Sequence, residues 1–308
     1  MTPGTFFAFM GALAMLYTPF KSLNGANMNV QNALAGAERV FAILDDPALK
    51  TERGGTLPLD EPFRELAFRN VSLHYGDEGT PALRDVSLTV KAGERIAFVG
   101  PSGAGKTTLV NLLMRFYEID GGRITLDGVD TRAMTRAELR SNFGMVLQDT
   151  WLFKGTIMEN IRYGRLDATD EEVIAAAKAA NADHFIRTLP GGYQMELNED
   201  ASNVSQGQKQ LLTIARAILA DNRILILDEA TSSVDTRTEQ RIQTAMDNLM
   251  RGRTSFVIAH RLSTIRDADL ILVMRDGDIV EQGTHDQLIE AGGFYADLYN
   301  SQFEDVVD

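Results

Sequence analysis

One segment constrains the fold of this chain more than any other: a glycine-rich loop between an apolar run and a helical segment. The loop is Gly100-Pro-Ser-Gly-Ala-Gly-Lys-Thr107, after residues 95–99 and before residues 108–115. It matches the phosphate-binding pattern G-x-x-x-x-G-K-[ST] in the strand–loop–helix context that the pattern requires. The sequence therefore predicts a polyphosphate site at the end of a strand.

The residue types in this loop suit phosphate chemistry. Small residues let backbone N–H groups converge on a polyphosphate, and the start of the following helix adds a positive partial charge. Lys106 can reach the β- and γ-phosphates, and the hydroxyl of Thr107 can ligate Mg²⁺. A glycine-rich turn that merely caps a helix is the alternative, but the Lys-Thr pair at this offset argues against it. The predicted phosphate ligands are Gly100, Ser102, Gly103, Gly105, Lys106, Thr107 and Thr108.

Composition narrows the classes of partner. The chain of 308 residues can form one large domain or two ordinary ones. Its net charge of −13 argues against a nucleic-acid-binding surface, which needs a concentrated basic footprint. Because the chain has no cysteine, disulfides and cysteine-ligated zinc are excluded.

The amino-terminal segment is apolar and then amphipathic. Residues 6–20 carry no charge, but this run is shorter than the roughly 18 to 20 residues that cross a bilayer alone. Residues 21–44 have apolar side chains at helical spacing, and Pro19 is expected to kink any helix here. We expect a hydrophobic helix that continues into water, with a buried core helix as the alternative.

The remaining segments predict an α/β fold. Residues 45–62 carry several prolines and glycines and read as a linker. Short glycine-bounded runs predict an antiparallel layer, and near-continuous apolar runs predict buried parallel strands. The predicted antiparallel runs are 63–70, 71–75, 86–90 and 123–127, and the predicted parallel strands are 95–99, 144–148, 224–228, 255–259 and 270–274. Strong helices are predicted over 170–182 and 205–220.

A second candidate nucleotide element follows one of these strands. Residues 224–228 end in Asp228, and Glu229 comes next. Ligands bind at the carboxyl ends of strands in open α/β sheets. There Asp228 can hold Mg²⁺, and Glu229 can polarise an attacking water.

Val204-Ser-Gln-Gly-Gln208 resembles the signature motif of ATP-binding cassette (ABC) ATPases, whose usual form is Leu-Ser-Gly-Gly-Gln. Val204 and Gln206 depart from that form, whereas Ser205 and Gly207 match it. Ser205 can also act as an ordinary N-cap of the following helix, which is the structural alternative.

Other residues match the family in the expected order. The resemblance implies that Tyr75 stacks on adenine, Gln148 contacts Mg²⁺ or the attacking water, and His260 contacts the γ-phosphate. Ser232-Ser-Val-Asp235 matches the loop that crosses the interface between two nucleotide-binding domains. Without that context, Tyr75 and His260 would be ordinary structural residues.

The resemblance also implies cofactors and roles. ATP is expected between the phosphate loop of one domain and the signature segment of a second domain, which contributes Ser205, Gly207, Gln208 and Asp235. The implied catalytic residues are Lys106, Gln148, Glu229 and His260. The implied Mg²⁺ ligands are Thr107, Gln148 and Asp228.

Residues 150–161 resemble the segment that follows the glutamine loop in ABC exporters, whereas residues 199–203 match exporters only at Glu199. Residues 1–44 resemble the end of an exporter's last transmembrane helix and its cytoplasmic extension. We therefore expect the carboxyl-terminal portion of a half-transporter, with linker 45–62 and nucleotide-binding domain 63–308. A helical subdomain is expected over about 150–220.

This interpretation predicts ATP hydrolysis that drives export of a lipid, drug or peptide. The expected partners are a second nucleotide-binding domain, in a homodimer or heterodimer, and a transmembrane domain in the inner membrane, with the nucleotide domain on the cytoplasmic face. A nucleotide-gated regulatory subunit with little turnover is the main alternative, and Glu229 and His260 count against it. A soluble ABC ATPase acting on DNA or ribosomes is a second alternative, disfavoured by the acidic charge and the apolar run.

Overall fold

The computed structural model describes residues 2–46, 63–76, 81–147, 151–228, 235–258 and 262–303. The chain divides into two compact units, Met1–Arg53 and Gly54–Asp308. Most of the predicted linker, residues 47–62, lies outside the described residues.

The first unit is dominated by one long helix. Helix α1 (Pro3–Leu44) has 42 residues, begins after Thr2 and continues through Pro19. One 18-residue window reaches a mean hydropathy of 1.3, so by length and composition α1 can cross a membrane, as no other helix in the described parts of the chain can. Its described side chains are exposed except for the half-buried Ala37, so the alternative of a core helix gains no support.

An antiparallel sheet begins the second unit. Its strand order is β2-β1-β4-β5. The predicted runs 63–70 and 71–75 are wrong as two strands, because β1 passes through both with a shift in register between Phe68 and Val71. Asn70 takes a φ of +52° there, in the left-handed region that asparagine tolerates. The bounds are β1 Glu65–Leu73, β2 Leu83–Lys91, β4 Gly121–Leu126 and β5 Val129–Asp130.

The second sheet has the order β12-β11-β3-β10-β9-β6. Strands β11, β3, β10, β9 and β6 pair in parallel, and β12 pairs with β11 in antiparallel fashion. Because β9 and β10 are buried on both faces, residues 224–227 and 256–258 are apolar, although β10 begins with the buried polar residues Thr254 and Ser255. The bounds are β3 Arg95–Val99, β6 Phe143–Val146, β9 Ile224–Asp228, β10 Thr254–Ile258, β11 Leu270–Arg275 and β12 Asp278–Gly283.

Short helices and one small hairpin complete the unit. Capping boxes start the helices that begin at Arg136, Ile157, Asp170, Gln206 and His285, so these boundaries follow from the local sequence. The helices are α2 Lys106–Leu113, α3 Arg136–Ser141, α4 Ile157–Arg162, α5 Asp170–Ala179, α6 Asp183–Thr188, α7 Gln206–Ala220, α8 Thr236–Met250, α9 Leu262–Arg266, α10 His285–Ala291 and α11 Phe294–Phe303. Two 3₁₀ turns lie at Thr131–Ala133 and Gly192–Gln194, and β7 Gly155–Thr156 pairs with β8 Glu196–Leu197.

Apolar clusters cover the parallel sheet from both sides. One cluster joins it to helices α4 to α8, another joins it to the antiparallel sheet and α2, and a third packs α10 and α11 against it. The predicted α/β fold with an antiparallel layer and helical segments is confirmed. This packing holds the carboxyl ends of the parallel strands in fixed positions, where ligands bind in such sheets.

Candidate nucleotide site

Four strands of the parallel sheet deliver residues to one edge. Strand β3 ends at Val99 and leads into the glycine-rich loop. In the neighbouring strands Asp228 lies opposite Ile258, and Leu227 lies opposite Val146. The carboxyl ends of β3, β6, β9 and β10 therefore share the edge at which the sequence predicts the site.

The loop backbone requires glycine at its two ends. Gly100 has a φ of +153°, and a Cβ there would lie 2.3 Å from the carbonyl oxygen of Met274 in β11. Gly105 has a φ of +103° and is the N-cap of α2, without a side-chain hydrogen bond to the helix. The first N–H groups of α2 are therefore not capped by a side chain and point toward the loop.

The ammonium of Lys106 lies across the loop. Its Nζ donates hydrogen bonds to the carbonyl oxygens of Gly100 at 2.6 Å and Pro101 at 2.9 Å. Burial lowers the pKa of Lys106 below its ordinary value, and the negative charge of Asp228 opposes that shift. The structure thus brings two predicted site residues from different strands, Lys106 and Asp228, within electrostatic reach.

The remaining loop residues differ in exposure. Ser102, Gly103 and Thr107 are exposed, and Thr108 is buried in the first turn of α2. No group of three or more His, Cys, Asp or Glu that could hold a metal occurs in the described residues. A hydroxyl at Thr107 and a carboxylate at Asp228 are oxygen donors that suit Mg²⁺ when phosphate oxygens complete its ligand set.

Tyr75 is joined to the same helix. Its hydroxyl donates to Oγ1 of Thr108 at 3.2 Å, and the ring is 46% exposed. Tyr117 packs edge-to-face against Tyr75, with ring centroids 4.9 Å apart. Sequence reasoning missed Tyr117, and its only signal was the aromatic pair formed with Phe116 just after α2.

The signature segment forms the start of α7. The N–H of Gln208 donates to Oγ of Ser205 at 3.3 Å, and the N–H of Ser205 donates to Oε1 of Gln208 at 2.9 Å. Val204 and Gly207 are buried. Within a single chain Ser205 therefore acts as the N-cap of α7, as the structural alternative predicts. Helix α7 itself packs against α4, α5 and α8.

Asp235 has the same local role at the start of α8. Its Oδ1 accepts the N–H of Thr238 at 3.0 Å, and its side chain is exposed. The hydrogen bonds from Thr238 hold the pKa of Asp235 below its ordinary value. The carboxylate is therefore ionised at neutral pH.

Three predicted catalytic residues lie outside the described residues: Gln148, Glu229 and His260. In the sequence each follows the last residue of a parallel strand by one or two positions. Those strands are β6, β9 and β10, whose carboxyl ends share one edge.

A half-buried arginine, Arg216, anchors the segment that resembles exporters, and sequence reasoning missed it. Arg216 of α7 donates to the carbonyl oxygens of Trp151 at 3.0 Å and Asn160 at 2.9 Å. The amide of Asn160 accepts the N–H of Phe153 and donates to its carbonyl oxygen. Burial lowers the pKa of Arg216, and its guanidinium lies over the ring of Tyr163. The segment is therefore anchored to α7.

This arrangement of loop, strand ends and capped helix agrees with the comparison to protein families. Residues 83–232 match the family described as ABC transporter. Residues 83–232 of this chain are a domain of the ABC transporter family. The match includes the phosphate loop, the signature segment and Asp228 in one continuous stretch.

Individual relatives of this ABC domain are named as a transporter and a flippase. The chain is 54% identical over 295 residues to the "Fatty acid ABC transporter ATP-binding/permease protein" of Mycobacterium tuberculosis, covering 96% of this chain and 46% of that protein. It is 48% identical over 304 residues to the "ATP-dependent lipid A-core flippase" of Syntrophus aciditrophicus, covering 99% of this chain and 50% of that protein. The chain spans about half the length of the curated relatives it matches.

A solved structure is similar to this ABC domain in fold. It is a bacterial Atm1-family ABC exporter with ATP bound, with a TM-score of 0.81 and 41% identity over 90% of this chain and 48% of that chain. The predicted resemblance to ABC exporters is confirmed by these relatives.

Proposed function

We propose that this ABC domain hydrolyses Mg²⁺-bound ATP to drive export through a transmembrane domain. The observation that carries this proposal is the convergence of Lys106 and Asp228 on the uncapped start of α2. At one strand edge, a cation and N–H groups can position and neutralise a triphosphate, and a carboxylate can hold its Mg²⁺.

The loop would hold the phosphates of ATP. Lys106 would exchange its two carbonyl acceptors in the loop for phosphate oxygens, while backbone N–H groups of the loop and of the start of α2 surround them. The bound Mg²⁺ would neutralise phosphate charge. Its protein ligands would be Thr107, Asp228 and Gln148.

Glu229 would orient and polarise the water that attacks the γ-phosphorus, and His260 would stabilise the γ-phosphate. Gln148 would contact the metal or that water. The positions of these residues just after β9, β10 and β6 in the sequence support the assignment, because those strands end at the edge where the loop lies. Catalysis would rest mainly on positioning and charge neutralisation.

Tyr75 would stack on the adenine. Its hydrogen bond to Thr108 and its contact with Tyr117 fix the ring beside the first turn of α2. One face of a half-exposed aromatic ring is then available to a base, which is a common arrangement for nucleotide recognition.

A second nucleotide-binding domain would complete the site with Ser205, Gly207, Gln208 and Asp235. In this proposal residues 1–44 end the last transmembrane helix, residues 45–62 are the linker, and residues 63–308 form the nucleotide-binding domain on the cytoplasmic face. Its helical subdomain would extend over about 150–220. Because relatives are named as a fatty acid transporter and a lipid A-core flippase, we propose an amphipathic lipid as the transported substrate.

The test is the ATPase rate per chain, measured against protein concentration in detergent. We expect the rate to rise with concentration, because each site needs a second domain. Glu229→Gln should retain ATP binding and slow turnover by on the order of 10²-fold or more. Wild-type turnover in that variant would remove Glu229 from its role, and absent turnover in the wild type with ATP still bound would favour a regulatory subunit.

A further inference from the structure

A polar cleft lies between α8 and the α5–α6 turn, and Arg237 on its α8 wall is two residues after Asp235, which is assigned to the nucleotide site. The volume of the cleft is about 650 Å³, within the range of small-molecule sites. Every lining residue is polar or charged: Lys178, Asn181, Asp183, His184, Arg237, Gln240, Arg241 and Thr244. A lining without apolar side chains does not suit a lipid tail or an apolar peptide face.

The cleft concentrates positive charge in a chain of net charge −13. Lys178, Arg237 and Arg241 form no ion pair within the described residues. Arg237 and Arg241 are four residues apart on α8, and like charges at that spacing destabilise a helix. Arg237 also lies in the first turn of α8, where the helix dipole disfavours a cation. These costs would be offset by a bound anion.

The single carboxylate that lines the cleft is already engaged. Asp183 accepts the hydroxyl of Tyr193 at 2.7 Å, and Nε of Arg187 contacts both of its oxygens at 2.9 Å. Burial alone would raise the pKa of Asp183, but these hydrogen bonds outweigh it and hold the pKa below its ordinary value. The charge of Asp183 also interacts with Lys178, so the cations of the cleft that lack a carboxylate partner within the described residues are Arg237 and Arg241.

Backbone contacts hold the two walls together. The side-chain amide of Asn181 donates to the carbonyl oxygen of Arg241 at 3.3 Å, and that of Asn248 donates to the carbonyl oxygen of Ala179 at 3.0 Å. Arg241 is itself half-buried. The backbone positions of the two walls are therefore fixed, whereas the side chains of Lys178 and Arg237 are exposed.

A second basic cleft provides a contrast. It has a volume of about 590 Å³ and contains Arg223, Arg251 and Arg253. There Arg253 pairs with Asp221 at 2.6 Å, and Arg251 donates to the side chain of Asn248. Arg251 and Arg253 are thus engaged within the chain, unlike the two arginines of the cleft on α8.

We propose that the cleft between α8 and the α5–α6 turn binds a small soluble anion with phosphate groups. Two arginines on one wall and a lysine on the other suit a multiply charged anion, and the guanidinium fork matches phosphate oxygens. The residues that line this cleft are distinct from those of the phosphate loop.

The test is calorimetric titration of the full chain in detergent with inorganic pyrophosphate, at fixed ionic strength. Four proteins are compared: the wild type, Arg237→Gln/Arg241→Gln, Lys106→Ala, and the combination. We expect two sites in the wild type. Arg237→Gln/Arg241→Gln should keep only the phosphate-loop site, and Lys106→Ala should keep only the cleft site. In the cleft variant, affinity at the cleft should fall by on the order of tenfold per arginine. The combined variant should lack both sites.

A charge-matched control is Arg69→Gln/Lys91→Gln, which removes two exposed cations from the antiparallel sheet. It should bind pyrophosphate at both sites, which separates a built site from general electrostatic attraction. Retained binding at the phosphate loop shows that the cleft variant is folded. The proposal is overturned if Lys106→Ala binds no pyrophosphate, or if its binding persists after both arginines are replaced.

Discussion

Two helices of this domain begin with the same orphan N–H groups and treat them differently. Helix α2 follows Gly105, which has a left-handed φ and offers no side-chain cap. Helix α7 follows Ser205, which closes a reciprocal capping box with Gln208. The first start leaves donors that a ligand can use, whereas the capping hydrogen bonds of the second are made within its own chain.

The contrast separates a site that one chain can form from a site that needs two. The phosphate loop has glycine where β11 approaches it and a partly buried cation beside Asp228. Both features favour ligand binding over local stability. The signature segment has an ordinary stable helix start, so we expect it to act only when another domain presents ATP to it.

The largest expected effect on ATP binding comes from a substitution at the uncapped start of α2, here called the open start. Lys106→Ala should weaken ATP binding by on the order of 10²-fold, because charge-assisted hydrogen bonds to phosphate are lost. Binding of a fluorescent ATP analogue measures this. The matched control is Lys209→Ala in α7, where Nζ of Lys209 also donates to a carbonyl oxygen, that of Asp200 at 2.9 Å. Equal losses in the two variants would erase the contrast between the helix starts.

At the capped start of α7, two substitutions of Ser205 separate the loss of the helix cap from the loss of the hydroxyl. Ser205→Ala should lower the free energy of unfolding by about 1 kcal/mol, whereas Ser205→Asn, which still caps, should retain stability. If the hydroxyl also binds ATP held by a partner, both variants should lose ATPase turnover by on the order of tenfold. Urea titration and phosphate release measure the two effects. Wild-type turnover in Ser205→Asn would reduce Ser205 to an N-cap.

A smaller effect is expected beside the open start, at Tyr75. Tyr75→Ala should weaken ATP binding by about 1 kcal/mol, a typical aromatic contact energy. Tyr75→Phe keeps the ring and loses only the hydrogen bond to Thr108, so it should retain most of the affinity. Inorganic triphosphate, which lacks the base, should bind both variants as it binds the wild type. Unchanged ATP affinity in Tyr75→Ala would make the tyrosine structural.

The smallest effect concerns pH. Burial places the pKa of Lys106 in the folded protein below its value of 10.5 in the unfolded chain, despite Asp228. Between those two pKa values the unfolded chain binds more protons, so this lysine makes stability rise with pH. The free energy of unfolding of the wild type minus that of Lys106→Met should therefore increase on approaching pH 10.5. A flat difference would show that the ammonium bears no burial cost.

Local patterns in the sequence predicted much of this domain. Strand β9 has the predicted bounds, because a continuous apolar run ending in Asp228 has few other structures available. Helix α5 ends earlier than predicted, before Asn181 takes a left-handed φ of +55°. Strand β1 continues where two runs were predicted, because a bulge at Asn70 absorbs the irregularity without ending the pairing.

Contacts between distant segments were harder to predict. The packing of Tyr117 on Tyr75 joins residues 42 positions apart in the chain, and no periodicity indicates it. The pairing of Arg216 with the carbonyls of Trp151 and Asn160 depends on how α7 meets α4. The family motif located Ser205, but only the structure shows that its side chain is engaged in a cap.

The arginine anchor on α7 also has a spectroscopic consequence. Arg216 holds the backbone of Trp151, the single tryptophan of the chain, while its indole remains 63% exposed. Fluorescence emission from this protein therefore comes from one tethered, water-facing indole. Any surface that covers the segment will shift that emission to shorter wavelength without an added label.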